Sequence, residues 1–282
     1  MWNTKLCLGT GNYFGADDKT QMKLFQDTGF EAFFTGWDGK KDLCDLRAYA
    51  DELGLSFQSV HAPYIKSADM WKTGPKAETA VAELLRCTED TAAAGVDLMI
   101  CHCWIGFNGC TPTAEGIENY RIVVRRAAEL GIRVAFENTE GEPALHALME
   151  AFRDEPNVGF CWDTGHEQCY NHGKDLMALY GNRLMGTHIN DNLGIRDYNG
   201  TTTYIDDLHL LPFDGIVDWS YVAERLSRWD ADQILTFELT PNSMPGRHEN
   251  DAYQRLGLEE YVAECYKRAC RVAALIQRAR KQ

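Results

Sequence analysis

The chain has 282 residues, 45% hydrophobic and 25% charged, enough to bury one large core without disulfides or a structural metal. Its formal charge is −14, from 28 Lys and Arg against 42 Asp and Glu, and it shows no basic stripe, so a nucleic-acid partner is disfavoured. No apolar run approaches the roughly 20 residues of a membrane span, and no signal peptide precedes Met1–Lys5, so a cytoplasmic protein with reduced thiols is expected.

Strand-like and helix-like patterns alternate along the chain. A strand over 5–9 precedes a helix over 20–28, and a strand over 31–35 precedes a helix over 42–53. Strand 56–61 leads to helix 77–94, strand 98–102 to helix 114–130, and strand 132–137 to helix 143–153. Strand 158–163 leads to helix 173–180, strand 184–189 to helix 219–226, and strand 234–239 to helix 258–279. Gly54, Gly95 and Gly131 mark helix stops, while Thr113 and Pro143 fit helix starts. Eight βα units of uniform composition predict a single-domain (β/α)8 TIM barrel over residues 1–282, in the α/β class. A doubly wound open sheet is less well supported, because Gly9-Thr-Gly11-Asn-Tyr-Phe-Gly15 lacks the third glycine of a phosphate turn at the right offset.

Alternation within strands carries the functional reading. Ala135 and Glu137 share one face of the fifth strand, and Gly159, Cys161 and Asp163 share one face of the sixth. Gly186 and His188 share a face of the seventh, Thr236 and Glu238 a face of the eighth. Small residues thus face inward on these strands, and an ionisable group of the same parity stands at each carboxyl end, where barrel enzymes place their sites. Glu137, Asp163 and Glu238 are then expected to meet near the barrel axis, where three carboxylates need a cation or protonation to coexist. With His188 they form an O3N set suited to Mn, Mg, Co or Zn.

Other groups have two readings each. His166, three residues after Asp163, faces substrate or a second ion. His61 and His102 end the third and fourth strands and either face the cavity or are neutral, hydrogen-bonded histidines. His146, His172 and His248 lie on helix or loop patterns and are expected at the surface. Asp207 and His209 lie in a long loop, 190–218, expected to fold back over the mouth as a lid. Trp37, Trp71, Trp104 and Phe107 fall in loops at the same end, where rings cover the apolar face of a sugar or simply pack the loops. Arg196 and Arg247 are the available cations in the late loops, and Arg247 is the better candidate for an anionic group. Alternation turns Cys101 and Cys103 away from His102, so packing is their expected role.

On these residues the chain resembles the xylose isomerase-like TIM barrels, a superfamily of sugar (phosphate) isomerases and epimerases that also contains the type IV apurinic endonucleases. The resemblance covers essentially the whole chain. Glu137 in Glu-Asn-Thr, Asp163 in Asp-Thr-x-His, His188 in His-Ile-Asn-Asp and Glu238 in Glu-Leu-Thr-Pro match the metal set of the ketose 3-epimerase branch. The resemblance implies a divalent-metal-dependent epimerase or isomerase in which Glu137 and Glu238 also form the acid/base pair, with proton transfer through a metal-bound enediolate. One metal is implied, with room for a second; the substrate is a small sugar or polyol, and a homo-oligomer is left open. His61, His166, Asp207 and His209 would orient hydroxyls. The same positions, with His102, also match the larger ligand set of the multi-zinc endonucleases, so a zinc phosphodiesterase is the alternative. A polyol or inosose dehydratase on the same site is another.

Overall fold

Eight parallel strands follow one another round a single sheet: β1 (Leu6–Gly9), β2 (Ala32–Gly36), β3 (Ser56–His61), β4 (Leu98–His102), β5 (Arg133–Glu137), β6 (Val158–Asp163), β7 (Leu184–His188) and β8 (Leu235–Phe237). The computed structural model describes residues 4–106, 109–196, 204–229 and 233–281. β8 pairs with β1, and the β7–β8 seam is joined by the Ile189–Phe237 bridge, where Ile189 N donates to Thr236 O at 2.8 Å. The fold is a (β/α)8 TIM barrel.

The helices are α1 (Asp18–Thr28), α2 (Leu43–Leu53), α3 (Pro75–Ala93), α4 (Ala114–Glu129), α5 (Glu142–Ala151), α6 (Thr164–Cys169), α7 (Leu176–Tyr180), α8 (Trp219–Ser227), α9 (Asp251–Gln254) and α10 (Leu258–Ala279). Side chains of Asp17, Asp42, Thr113, Asp163, Asp175 and Asp218 cap six of them, each accepting from a backbone N–H that has no partner within its helix. The expected stops at Gly54, Gly95 and Gly131 all adopt positive φ.

Two short helices, α6 and α9, were not predicted. At six and four residues neither is long enough to show a 3.6-residue pattern. The predicted helix 173–180 shortens to α7, and the eighth strand ends at Phe237 instead of 239. Beyond that point the chain leaves the ladder for the long loop, Thr240 N donating to His209 O at 3.2 Å.

The main core lies between the barrel and its helices, with Val134, Phe136, Phe160, Trp162, Leu235 and Phe237 on the outer faces of their strands. Inside the barrel the fill is uneven. Ala135 and Cys161 are small as expected, but β2 and β4 contribute Phe34, Leu98 and Ile100. Leu98 and Ile100 complement the small Ala135 and Cys161 and fill the lower barrel, while Phe34 reaches up to His188 and the polar groups at the carboxyl ends. All ten cysteines are free thiols, and Cys101 and Cys103 are buried, with burial pushing the Cys101 thiol up to about 12. Packing, not metal binding, is their role. Among the described residues no helix is long and apolar enough to cross a membrane.

Candidate metal centre and cavity

Four strand ends build the floor of the site. Glu137 ends β5, Asp163 ends β6, His188 ends β7, and Glu238 follows β8. One ligand atom from each lies within 4.8 Å of the others. His188 Nδ1 is 2.9 Å from Glu137 Oε1 and 3.2 Å from Glu238 Oε2, so one imidazole edge links the two glutamates. Phe34 stacks on the His188 ring with centroids 5.0 Å apart, which fixes its plane. Asp163 is held at both oxygens: Oδ1 accepts from His166 N at 2.6 Å as the cap of α6, and Oδ2 from Asn190 Nδ2 at 2.8 Å.

These residues fit a divalent cation. Glu137 Oε2 and His188 Nε2 are buried with no hydrogen-bond partner, which is costly unless another group engages them. His102 Nε2 and His61 Nε2 approach Glu137 Oε2 to 3.3 and 3.4 Å, but without hydrogen-bond alignment. Oxygen donors and an imidazole suit Mn, Mg, Co or Zn without selecting among them.

Two further groups flank this set. His61, His102 and Glu137 form one; His166, Asp207 and His209 form the other, each with ligand atoms within 4.8 Å. Asp207 Oδ2 is 3.0 Å from both His166 Nε2 and His209 Nε2, while His166 Nδ1 is 2.9 Å from Asn138 O. His209 has a φ of 44°, a left-handed conformation uncommon for a side-chain-bearing residue and often found at functional sites.

Electrostatics follow from burial opposed by these contacts. Burial would raise the Glu137 pKa, but His188 and His102 overcome it and hold the carboxyl well below its ordinary range. Burial likewise opposes, and His188 and His209 outweigh, a shift that brings Glu238 to about 2. Asp163 goes the other way, burial lifting it to about 6. Burial disfavours the charged His209 ring, yet Asp207 raises it from 6.5 to about 10. The stability this pair contributes is therefore complete below pH 6.5 and lost as pH rises through 10. The melting temperature of chelator-treated protein is expected to fall from pH 7 to pH 10, and Asp207→Asn should flatten that fall; parallel profiles would contradict the pairing.

The sequence profile of the xylose isomerase-like TIM barrel family matches residues 22–273. The chain belongs to this family. The uncharacterized protein y4fM of Sinorhizobium fredii (strain NBRC 101917 / NGR234) is 34% identical over 152 residues, which cover 50% of this chain and 45% of that protein. The match thus spans less than half of that relative's length. Among solved structures, the IolI protein with a bound zinc atom superposes with a TM-score of 0.73 at 16% identity, covering 96% of this chain and 98% of that one. D-psicose 3-epimerase from Clostridium cellulolyticum H10, solved with D-tagatose, gives 0.71 at 14% identity over 98% and 99%. L-ribulose 3-epimerase gives 0.70 at 14% identity over 99% and 96%. At such identities these structures share the fold.

Above the floor this xylose isomerase-like barrel opens a cavity of about 640 Å³, into whose wall His61, His102, His166, Asp207, His209 and Glu238 project. Glu137 is fully buried and does not reach the wall. His146, His172 and His248 are exposed, away from the site. The tryptophans do not cover the cavity. Trp37 donates to Asp90 Oδ2 at 2.7 Å, Trp71 to Cys103 O at 2.8 Å and Trp104 to Gly106 O at 2.9 Å; all three are buried as loop packing, because each indole N–H finds a partner inside. Phe107 lies outside the described residues. Arg247 is not in the wall either: it is buried against Asp206 and Glu249. The aromatic wall consists instead of Tyr13, Phe34, Tyr64, Tyr170 and Tyr204, none of which was predicted for that role.

Asp191 explains how the long loop reaches the site. Its Oδ1 accepts from Asn192 N and Val217 N at 2.9 and 3.0 Å, and its Oδ2 from Phe213 N and Trp219 Nε1 at 2.9 and 3.0 Å. A bridge to Leu210 completes the fold-back that brings Asp207 and His209 to the cavity. Residues 197–203 of the expected lid lie outside the described residues. Gly165 permits another close approach: a Cβ there would stand 1.8 Å from Asn190 Oδ1, within the group that holds Asp163. Gly165→Ala is expected to cost about 1–3 kcal/mol in unfolding free energy and to weaken metal retention. Wild-type values for both in denaturant and metal titrations would contradict that packing.

Proposed function

We propose that this protein is a divalent-metal-dependent sugar isomerase or epimerase, acting by proton transfer beside the carbonyl of a ketose or polyol-derived ketone. The observation that carries this reading is the convergence of Glu137, Asp163, His188 and Glu238 below a cavity of about 640 Å³. A Mn, Mg, Co or Zn ion held by these four residues would polarise the carbonyl and acidify the neighbouring C–H. Of the two glutamates Glu238 alone lines the cavity, so it is our choice to remove the proton. Glu137, across His188 Nδ1 and held ionised in the floor, is the other member of the acid/base pair: it takes up a proton first and then returns it from the opposite face. Asp207 Oδ1, buried without a hydrogen-bond partner, and the imidazoles of His61, His166 and His209 orient hydroxyls. The ketose 3-epimerases that share the fold support the reading, and seven buried cysteines suit a reducing, cytoplasmic setting.

The two flanking ligand groups favour a second reading, a multi-zinc phosphodiesterase acting on abasic DNA. The charge of −14 opposes it. A polyol dehydratase would use the same floor. Metal-loaded protein in D2O is expected to place deuterium on the carbon next to a ketose carbonyl and to yield the epimer. No exchange with any ketose, together with nicking of an abasic duplex, would overturn the proposal.

A further inference from the structure

We infer that the ligand of this cavity is an uncharged sugar or polyol bearing an apolar substituent, not a sugar phosphate. The inference rests on the isomerase reading above and deepens it.

The first observation is a missing charge. None of the residues lining the cavity is Lys or Arg, while Glu140, Asp207 and Glu238 contribute carboxylates. Segments 1–3, 107–108, 197–203, 230–232 and residue 282 contain no Lys or Arg either, so no cation is supplied from there. Arg247 is engaged by Asp206 and Glu249, and Arg196 is exposed and outside the wall. The imidazoles of His166 and His209 already face Asp207. A terminal phosphate, several carbons from the reacting carbonyl, would therefore lose its water without gaining a cationic partner.

The second observation is apolar surface at the mouth. Of eight large hydrophobic residues exposed among those described, Tyr64, Ile65 and Tyr204 line this one cavity, at 42%, 72% and 59% exposure. Tyr64 stacks on His102 with centroids 5.0 Å apart, so the apolar rim runs directly into the polar floor. Polar groups below and apolar groups above match a ligand whose reacting end is a polyol and whose other end is apolar.

The test compares D-fructose, its 6-phosphate and its 6-O-phenyl ether on the metal-loaded enzyme, reading kcat/KM for deuterium exchange and the melting-temperature shift. The phenyl ether is expected to exceed fructose by about tenfold or more, and the phosphate to fall about tenfold below it. Ile65→Ser with Tyr204→Ser, both exposed positions, should bring the phenyl-to-free ratio towards one. A phosphate at least as good as fructose, or no phenyl advantage, would overturn the inference. So would a rim double variant that changes only the oligomeric state, which would assign the rim to a second copy. If no ketose exchanges, the isomerase reading fails by itself. The thermal shifts then decide the ligand class: stabilisation by the phenyl ether alone sustains it, and stabilisation by the phosphate overturns it.

Discussion

Glu238→Gln is expected to lower turnover by about 1,000-fold at saturating metal, within the range for loss of a positioned general base. The amide keeps the shape of the side chain and remains beside His188, 3.2 Å away in the wild type, but cannot accept the proton. Deuterium exchange measured alongside elemental analysis of bound metal separates this chemical loss from loss of the ion. Wild-type turnover in a variant that retains metal would rule out the two-glutamate scheme.

Glu137→Gln should act more broadly. Four imidazoles surround this carboxylate: His188 at 2.9 Å, His102 at 3.3 Å, and His61 and His166 at 3.4 Å. Removing the buried anion leaves these rings without their shared counter-charge, and breaking such a pair costs about 3–5 kcal/mol. Metal affinity and melting temperature are both expected to drop. The pH dependence distinguishes this from a packing defect. Because the folded pKa of Glu137 is held well below 4.5, its contribution is present above that pH and lost on acidification. Metal-free wild type should therefore lose stability as pH falls below about 4.5, and Glu137→Gln should show a shallower loss. Equal slopes in calorimetry would contradict the assignment.

The barrel and its floor were legible because both depend on short-range rules. A two-residue period places Glu137, Asp163, His188 and Glu238 on inward faces, and the barrel brings inward strand ends together. What lies in loops was not legible. Asp207 and His209 reach the cavity because Asp191 gathers four donors from residues 192 to 219, a long-range arrangement without periodicity. The tryptophans failed as sugar-stacking candidates for the same reason: the partner of Trp37 is Asp90, 53 residues away. Arg247 offered a usable warning, since Glu249 stands two residues on and takes its guanidinium. The Tyr64, Ile65 and Tyr204 rim depends on where two separate loops meet, which no local pattern encodes.

The number of divalent ions bound per chain tests the central claim most directly, because one flanking group shares Glu137 with the floor while the other, His166, Asp207 and His209, is separate from it. Protein loaded with Mn or Zn, freed of excess ion and analysed for metal content should hold one equivalent, and Asp163→Asn should abolish it. Two or three equivalents, surviving that substitution in part, would contradict a single-ion isomerase and favour the multi-zinc phosphodiesterase.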